Sequence, residues 1–377
     1  MQSNTSKTVN VRDLSLNENN SYKEYVFSIS VFHLPEDPTN ANRIRVANQD
    51  IEIELLPSKG LSVYQVWIKG KPIFWEAPIG LPDTETLDLW SDEIKINGHA
   101  APGFTFLKTL MAGVELYGLR NWGMPTEIDG KLQPLHGETS NIPVDEVLFS
   151  IENENICNVE SSFIYRTFEG DNHLPWYERG EAIFKVTRKL ILLKDALEFS
   201  FEDTIENISN MPQIPDWGYH ITFRPEEGAK YIVPSQKAGL RGGNPLPADI
   251  QTWHKAKDES VRTETGILHK NIKVGDNGLV TSHLVYPDGS GIKVSTTPSP
   301  YFQTWFCNGG KDSMEFTDSN NQSILEKNWD GIGIEFGSSS LDHDHNTDQS
   351  VPPEPVLNPG ETRRITICFD AASPGSL

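Results

Sequence analysis

From residue 25 onward the chain is built of short runs that alternate apolar and polar side chains, cut by Gly and Pro turns. In the run Ile51-Glu52-Ile53-Glu54-Leu55 the alternation is strict, which puts Ile51, Ile53 and Leu55 on one face of a strand. The run 62–68 follows a Lys59-Gly60 turn, and Lys69-Gly70-Lys71-Pro72 breaks it before Ile73-Phe74-Trp75. Runs 162–166, 182–193 and 196–205 give three successive strands; in the last, Leu197, Phe199 and Phe201 are separated by Glu198, Ser200 and Glu202. Later strands fall at 291–296, 301–307, 331–336 and 363–369. Strands separated by turns at roughly 8–12-residue spacing indicate an antiparallel sandwich or barrel. Helix signals are confined to one or two turns over residues 83–90, with Asp83 as a cap.

The sequence therefore reads as all-β with long loops, notably 226–258 and 309–328, where binding groups tend to sit on a sheet scaffold. All-β sandwiches can exceed ~200 residues as one unit, so 377 residues do not force a division. No repeat or composition break divides the chain. We expect a polar N-terminal arm over residues 1–24, mobile or peripheral, and a single β domain over 25–377.

The net charge, 32 − 53 = −21, argues against nucleic acid or an anionic membrane as partner, since phosphate binding needs a basic face. It favours a small neutral ligand. The three cysteines, Cys157, Cys307 and Cys368, are odd in number and far apart, without a zinc spacing. With no apolar leader and no run approaching ~18 apolar residues, the expectation is a cytoplasmic protein with reduced thiols.

Four segments could carry chemistry. His136 lies in Leu135-His136-Gly137-Glu138, where Gly137 allows close backbone approach. His220 lies in Trp217-Gly218-Tyr219-His220, a strand rich in aromatics of the kind that stack on sugar rings while polar neighbours bind hydroxyls. Glu335 interrupts an apolar strand, Gly333-Ile334-Glu335-Phe336; burial would raise its pKa toward the range of a general base, whereas an outward position would leave it solvated. Arg120, framed by glycines beside Trp122, could recognise hydroxyls or a carboxylate, or could sit in a surface turn. The Asp342-His343-Asp344-His345 run has metal-ligand residue types, but its serine- and threonine-rich flanks mark a polar surface loop. Nucleophile-elbow, phosphate-loop and HExxH motifs are absent.

The order Leu135-His136-Gly137, Trp217-Gly218-Tyr219-His220, Gly333-Ile334-Glu335 and Leu357-Asn358-Pro359-Gly360-Glu361 resembles the aldose 1-epimerase (galactose mutarotase-like) family, from about residue 40 to about 370. Within it the likeness is to the aldose-epimerase-like branch of unknown function. The resemblance implies a large antiparallel β-supersandwich and interconversion of the anomers of a free sugar, with no cofactor or metal. It implies Glu335 as general base at the anomeric hydroxyl and His220 as general acid at the ring oxygen. His136 and Arg120 would bind the sugar; Trp217 and Trp305 are candidates to stack on it on sequence grounds only. The chain departs from better-studied members in having LHGE in place of LHGG, and in its residues after His220 and Glu335, which bears on substrate identity. Asp216 and Asp249 are the candidates for the aspartate on a distal hydroxyl. The competing readings are a non-catalytic sugar-binding protein on the same scaffold, or a lyase or glycosidase. A glycosidase normally needs two facing carboxylates, and only Glu335 stands out.

Overall fold

A computed structural model describes residues 5–10, 20–34, 37, 39, 41–170, 173–243, 249, 251–258, 260, 263–310, 316–324 and 329–372. Two large antiparallel sheets dominate it. One has nine strands, in the spatial order Thr5–Asn10, Glu146–Glu152, Ile156–Arg166, Ala182–Leu193, Glu198–Asn207, Thr362–Ala372, Gly291–Thr296, Val280–Val285 and Lys230–Ile232. The other has twelve strands, and four neighbours at its centre carry the site: Tyr301–Asn308, Asp330–Gly337, Asp216–Phe223 and Val114–Leu119. The all-β supersandwich expected from the sequence is the fold observed. Among the described residues no helix is long and apolar enough to cross a membrane.

Strand alternation explains where each side chain goes. In the 182–193 strand every second residue (Phe184, Val186, Leu190, Leu192) is buried against the facing sheet. The main core lies between the two sheets and is tied by aromatic pairs. Phe199 and Phe369 stack at 4.7 Å, and Phe74 meets Phe369 edge-on at 5.7 Å. A polar clamp crosses this core. Arg188 donates to both Asp203 carboxylate oxygens, at 2.9 and 2.7 Å, and Tyr219 of the opposite sheet donates its hydroxyl to the same carboxylate. With both charges almost wholly buried and forked, this pair has the geometry needed to offset its desolvation.

The larger sheet is covered on its second face as well. A second apolar cluster there includes Trp75, Phe106, Tyr117, Trp122, Tyr301 and Trp305. Its residues come from the central strands at positions that alternate with those facing the main core: Leu116 faces the core and Tyr117 the second cluster, Phe302 the core and Tyr301 the second cluster. The candidate site lies in this second layer.

One local expectation changes. Residues 83–90 form turns, not a helix: Asp83 accepts hydrogen bonds from the Glu85 amide and the Thr86 hydroxyl, an alternative that Asp offers the backbone in competition with a helix. Within the stretch read as an N-terminal arm, Thr5–Asn10 pairs with Glu146–Glu152 and Asn20–Glu24 with Phe27–Phe32, each as an edge strand.

Because Phe369 joins two rings in the core, Phe369→Ala is expected to cost about 3–5 kcal/mol, read as a lowered denaturation midpoint with an unchanged denaturant slope.

Candidate functional site

Register decides which polar groups meet. Across the four central strands Gln303 pairs with Glu335, Glu335 with His220, and His220 with Glu115. Cross-strand partners point to the same face, so one polar row crosses a layer that is otherwise aromatic and aliphatic. Small residues make room for it. A Cβ on Gly218 would lie 2.1 Å from the Trp122 ring, and one on Gly333 would lie 2.8 Å from Trp305 and 3.3 Å from His220.

At the centre of the row His220 Nε2 lies 3.7 Å from Glu335 Oε1. Both residues are only 3% exposed. Gln303 Nε2 donates to Glu335 Oε1 at 3.0 Å, and Tyr301 donates to the Gln303 carbonyl oxygen at 3.0 Å. Glu335 Oε2 is buried and has no hydrogen-bond partner among the described residues. Burial raises the Glu335 pKa to about 7, opposed by the Arg241 charge and the Gln303 bond. Burial and the neighbouring His136 lower His220 to about 3. Its Nδ1 is 2.8 Å from the Thr222 hydroxyl, and Trp305 meets its ring edge-on at 5.2 Å.

His136 reaches the same place from a loop. Its backbone is left-handed (φ 58°) and is followed by Gly137 at φ 67°, packed 3.0 Å from the Gly118 Cα if a Cβ were present. The imidazole lies 6.5 Å from that of His220, held between Phe106, Tyr117 and Trp122 at centroid distances of 4.4, 5.1 and 6.1 Å. Its Nδ1 is 2.6 Å from the Trp122 carbonyl oxygen. A carbonyl only accepts, so Nδ1 carries the proton and Nε2 of the neutral ring is an acceptor. Burial lowers the His136 pKa to about 4, which keeps the ring neutral at physiological pH.

Beyond His220 the row ends in a buried ion pair. Lys59 Nζ is 3.0 Å from Glu115 Oε1, and neither side chain is exposed. Tyr117 donates its hydroxyl to Glu115 Oε2 at 2.5 Å, and Lys59 donates to Asn141 Oδ1 at 2.8 Å. Through the Tyr117 ring this pair braces His136. At the other end Arg241 donates through Nε to Asp342 at 2.7 Å, and its charge is felt by His136, Tyr301 and Glu335.

The residues expected from the sequence divide. His136, His220, Glu335 and Trp305 come together. Trp217 does not: it faces the main core, on the side of its strand opposite to His220. On the His136 side the neighbouring tryptophan is Trp122, buried, with its indole donating to the Ser339 carbonyl at 3.0 Å. Arg120 lies apart from the polar row, 3.4 Å from Asp129 and lining a cavity with Glu138. Asp216 anchors the Ser338 and Ser339 hydroxyls, at 2.8 and 2.6 Å, and Asp249 is exposed. In the 342–346 loop Asp342 pairs with Arg241, His343 contacts the Met124 carbonyl, and Asp344 accepts from Ser340. Among the described residues no group of three or more His, Cys, Asp or Glu side chains is placed to hold a metal ion. A wider surface cleft of about 690 Å³ along Thr39, Ser58, Glu85 and Tyr177 contains no histidine, so the chemistry points to the buried row.

The antiparallel supersandwich is a fold found in solved structures of galactose mutarotase-like proteins. A solved structure from Klebsiella pneumoniae, whose assignment as an aldose 1-epimerase is itself provisional, superposes with a TM-score of 0.74 at 16% identity, over 98% of this chain and 92% of that one. A galactose mutarotase-like protein from Clostridium acetobutylicum gives 0.56 at 14% identity, over 92% and 98%. One from Salmonella typhimurium with a provisional mutarotase assignment gives 0.53 at 12%, over 92% and 94%. These likenesses establish the fold. No curated protein matches the sequence. The chain belongs to the family described as a domain of unknown function, DUF4432, whose model matches residues 39–312 and so ends before Glu335.

Lys59→Met alone leaves the Glu115 charge buried without a cation, and a cost of about 3–5 kcal/mol in unfolding free energy is expected. Adding Glu115→Gln is expected to recover most of that loss; equal loss in the single and double variants would rule out the ion pair as the cause.

Proposed function

We propose that this protein is a carbohydrate-active isomerase that interconverts the anomers of a free sugar or sugar derivative by general acid–base ring opening. The observation that carries the reading is the His220–Glu335 pair, 3.7 Å apart and buried, with Glu335 Oε2 unpartnered among the described residues. Ring opening removes a proton from the anomeric hydroxyl and delivers one to the ring oxygen; closure after rotation of the aldehyde reverses both transfers. One proton shared by a carboxyl and an imidazole suffices, because each group is restored when the ring closes. Burial shields the transfers from water.

Neighbouring groups fit binding roles. His136 Nε2, an acceptor in the neutral ring, suits a sugar hydroxyl and not the ring oxygen, which has no proton to give. Trp305 offers an apolar ring beside His220. A glycosidase is disfavoured because the second carboxylate on this face, Glu115, is engaged by Lys59 and Tyr117.

Glu335→Gln and His220→Ala are each expected to slow anomerisation by orders of magnitude without unfolding the protein. A polarimetric or NMR exchange screen over free sugars and sugar phosphates finds the substrate, and wild-type rates in both variants would remove the assignment. Saturable sugar binding without exchange would identify a binding protein.

The pH dependence has a definite sign. The working pair needs one proton. In the free protein that proton resides on Glu335, whose raised pKa is about 7, while His220, lowered to about 3, stays neutral. We expect kcat/KM to fall as pH rises through about 7 and to persist toward acid until His220 is protonated or the fold is lost. A rate that instead climbs through pH 7 would mean that ionised Glu335 beside neutral His220 is the working form.

A further inference from the structure

The run Leu135–Glu138 presents His136 to the polar row and, two residues on, Glu138 to a different cavity. This second cavity, of about 330 Å³, is lined by Trp90, Arg120, Gln133, Glu138, Thr167 and Phe168, none of which belongs to the row. Its volume falls within the range of small-molecule sites. We propose that it is a second ligand site, for a neutral hydroxylated ring such as a free sugar or cyclic polyol.

The floor is polar and buried: Glu138 is 2% exposed and Gln133 5%. Tyr165 donates to Glu138 Oε2 at 2.8 Å, fixing the carboxyl group, and burial raises its pKa to about 7. A carboxyl poised there can donate to a hydroxyl or accept from one. The walls are aromatic. Trp90 and Phe168 are tilted by 47° with centroids 6.0 Å apart, both are part-exposed, and both rest on Trp176, at 5.8 and 5.4 Å. Phe168 holds this position with a left-handed backbone (φ 57°), uncommon for a bulky residue. Arg120 supplies a planar fork of donors at the rim, its side chain 21% exposed.

Charge selects the ligand. Arg120 lies 3.4 Å from the exposed Asp129 and its charge also acts on Glu138, while Lys131 at the rim pairs with Glu169, so both cations of the cavity already face carboxyl groups. An anion would have to displace Glu138 and Glu169 from the two cations of the cavity, Arg120 and Lys131. A neutral ring brings hydroxyl oxygens for Arg120, hydroxyl protons for Glu138 and an apolar face for the two rings.

The test uses full-length protein labelled with ¹⁵N at the tryptophan indoles, titrated with glucose, galactose and myo-inositol, and with glucose 6-phosphate as the anionic comparison. The Trp90 resonance is identified by its loss in Trp90→Phe. A saturable shift at Trp90 is expected with at least one neutral compound, weakened about tenfold or more by Arg120→Ala and by Glu138→Gln. Glu335→Gln should leave this shift intact, which separates the site from the polar row. Should Glu138→Gln fail to fold, Arg120→Ala at the rim carries the same prediction. The proposal is overturned by the absence of a saturable Trp90 shift with every neutral compound, by a shift that survives the Arg120 substitution, or by tighter binding of glucose 6-phosphate than of the neutral compounds.

Discussion

The register of four central strands in the larger sheet is the constraint on which the candidate site depends. Gln303, Glu335, His220 and Glu115 sit on four separate strands and meet only because their Cα positions are partners. A one-residue slip of the His220 strand would turn His220 into the sandwich core and bring Tyr219 out. Tyr219 resists that slip. It donates to Asp203, which Arg188 holds from the facing sheet, so a polar clamp in the core pins the residue next to the histidine. Stacking of Tyr219 on Phe336 at 5.2 Å ties the His220 strand to the Glu335 strand in the same core. Packing between the sheets thus fixes the His220–Glu335 geometry on the other face of the larger sheet.

The same alternation made much of this legible in the sequence. The strict pattern at 51–55 and the polar interruptions at 198–202 disclose half-buried strands, and turn chemistry separates them. Glu335 stood out because a carboxylate in an apolar run must be paired, functional or outward. Glu115, in Val114-Glu115-Leu116-Tyr117, meets that criterion equally, and Gln303 between Tyr301 and Trp305 is a similar polar interruption. Trp217 is three residues from His220, an odd separation that puts the two on opposite faces of any regular strand. Arg120 was not decidable in that way. Gly118 and Leu119 have φ of 85° and 81°, which ends the alternation one residue earlier, so parity says nothing about where the guanidinium goes. The Lys59–Glu115 pair links residues 56 positions apart (115 − 59), and nothing local in the sequence marks it.

Electrostatics gives the net charge of −21 a more specific meaning than exclusion of polyanions. The formal charges at the two ends of the row are paired: Glu115 against Lys59 in the interior, and Asp342 against Arg241 at the partly exposed end. Both histidines are held neutral by burial. Among the described residues of the row Glu335 has no ion-pair partner but the neutral His220, and its raised pKa is the response, since a buried carboxylate without a cation is cheaper to protonate than to keep charged. A site that is nearly neutral within a strongly acidic protein offers no electrostatic reward to a phosphate or carboxylate. It leaves hydrogen-bond geometry and apolar contact as the means of recognition, the terms on which an uncharged sugar competes with water.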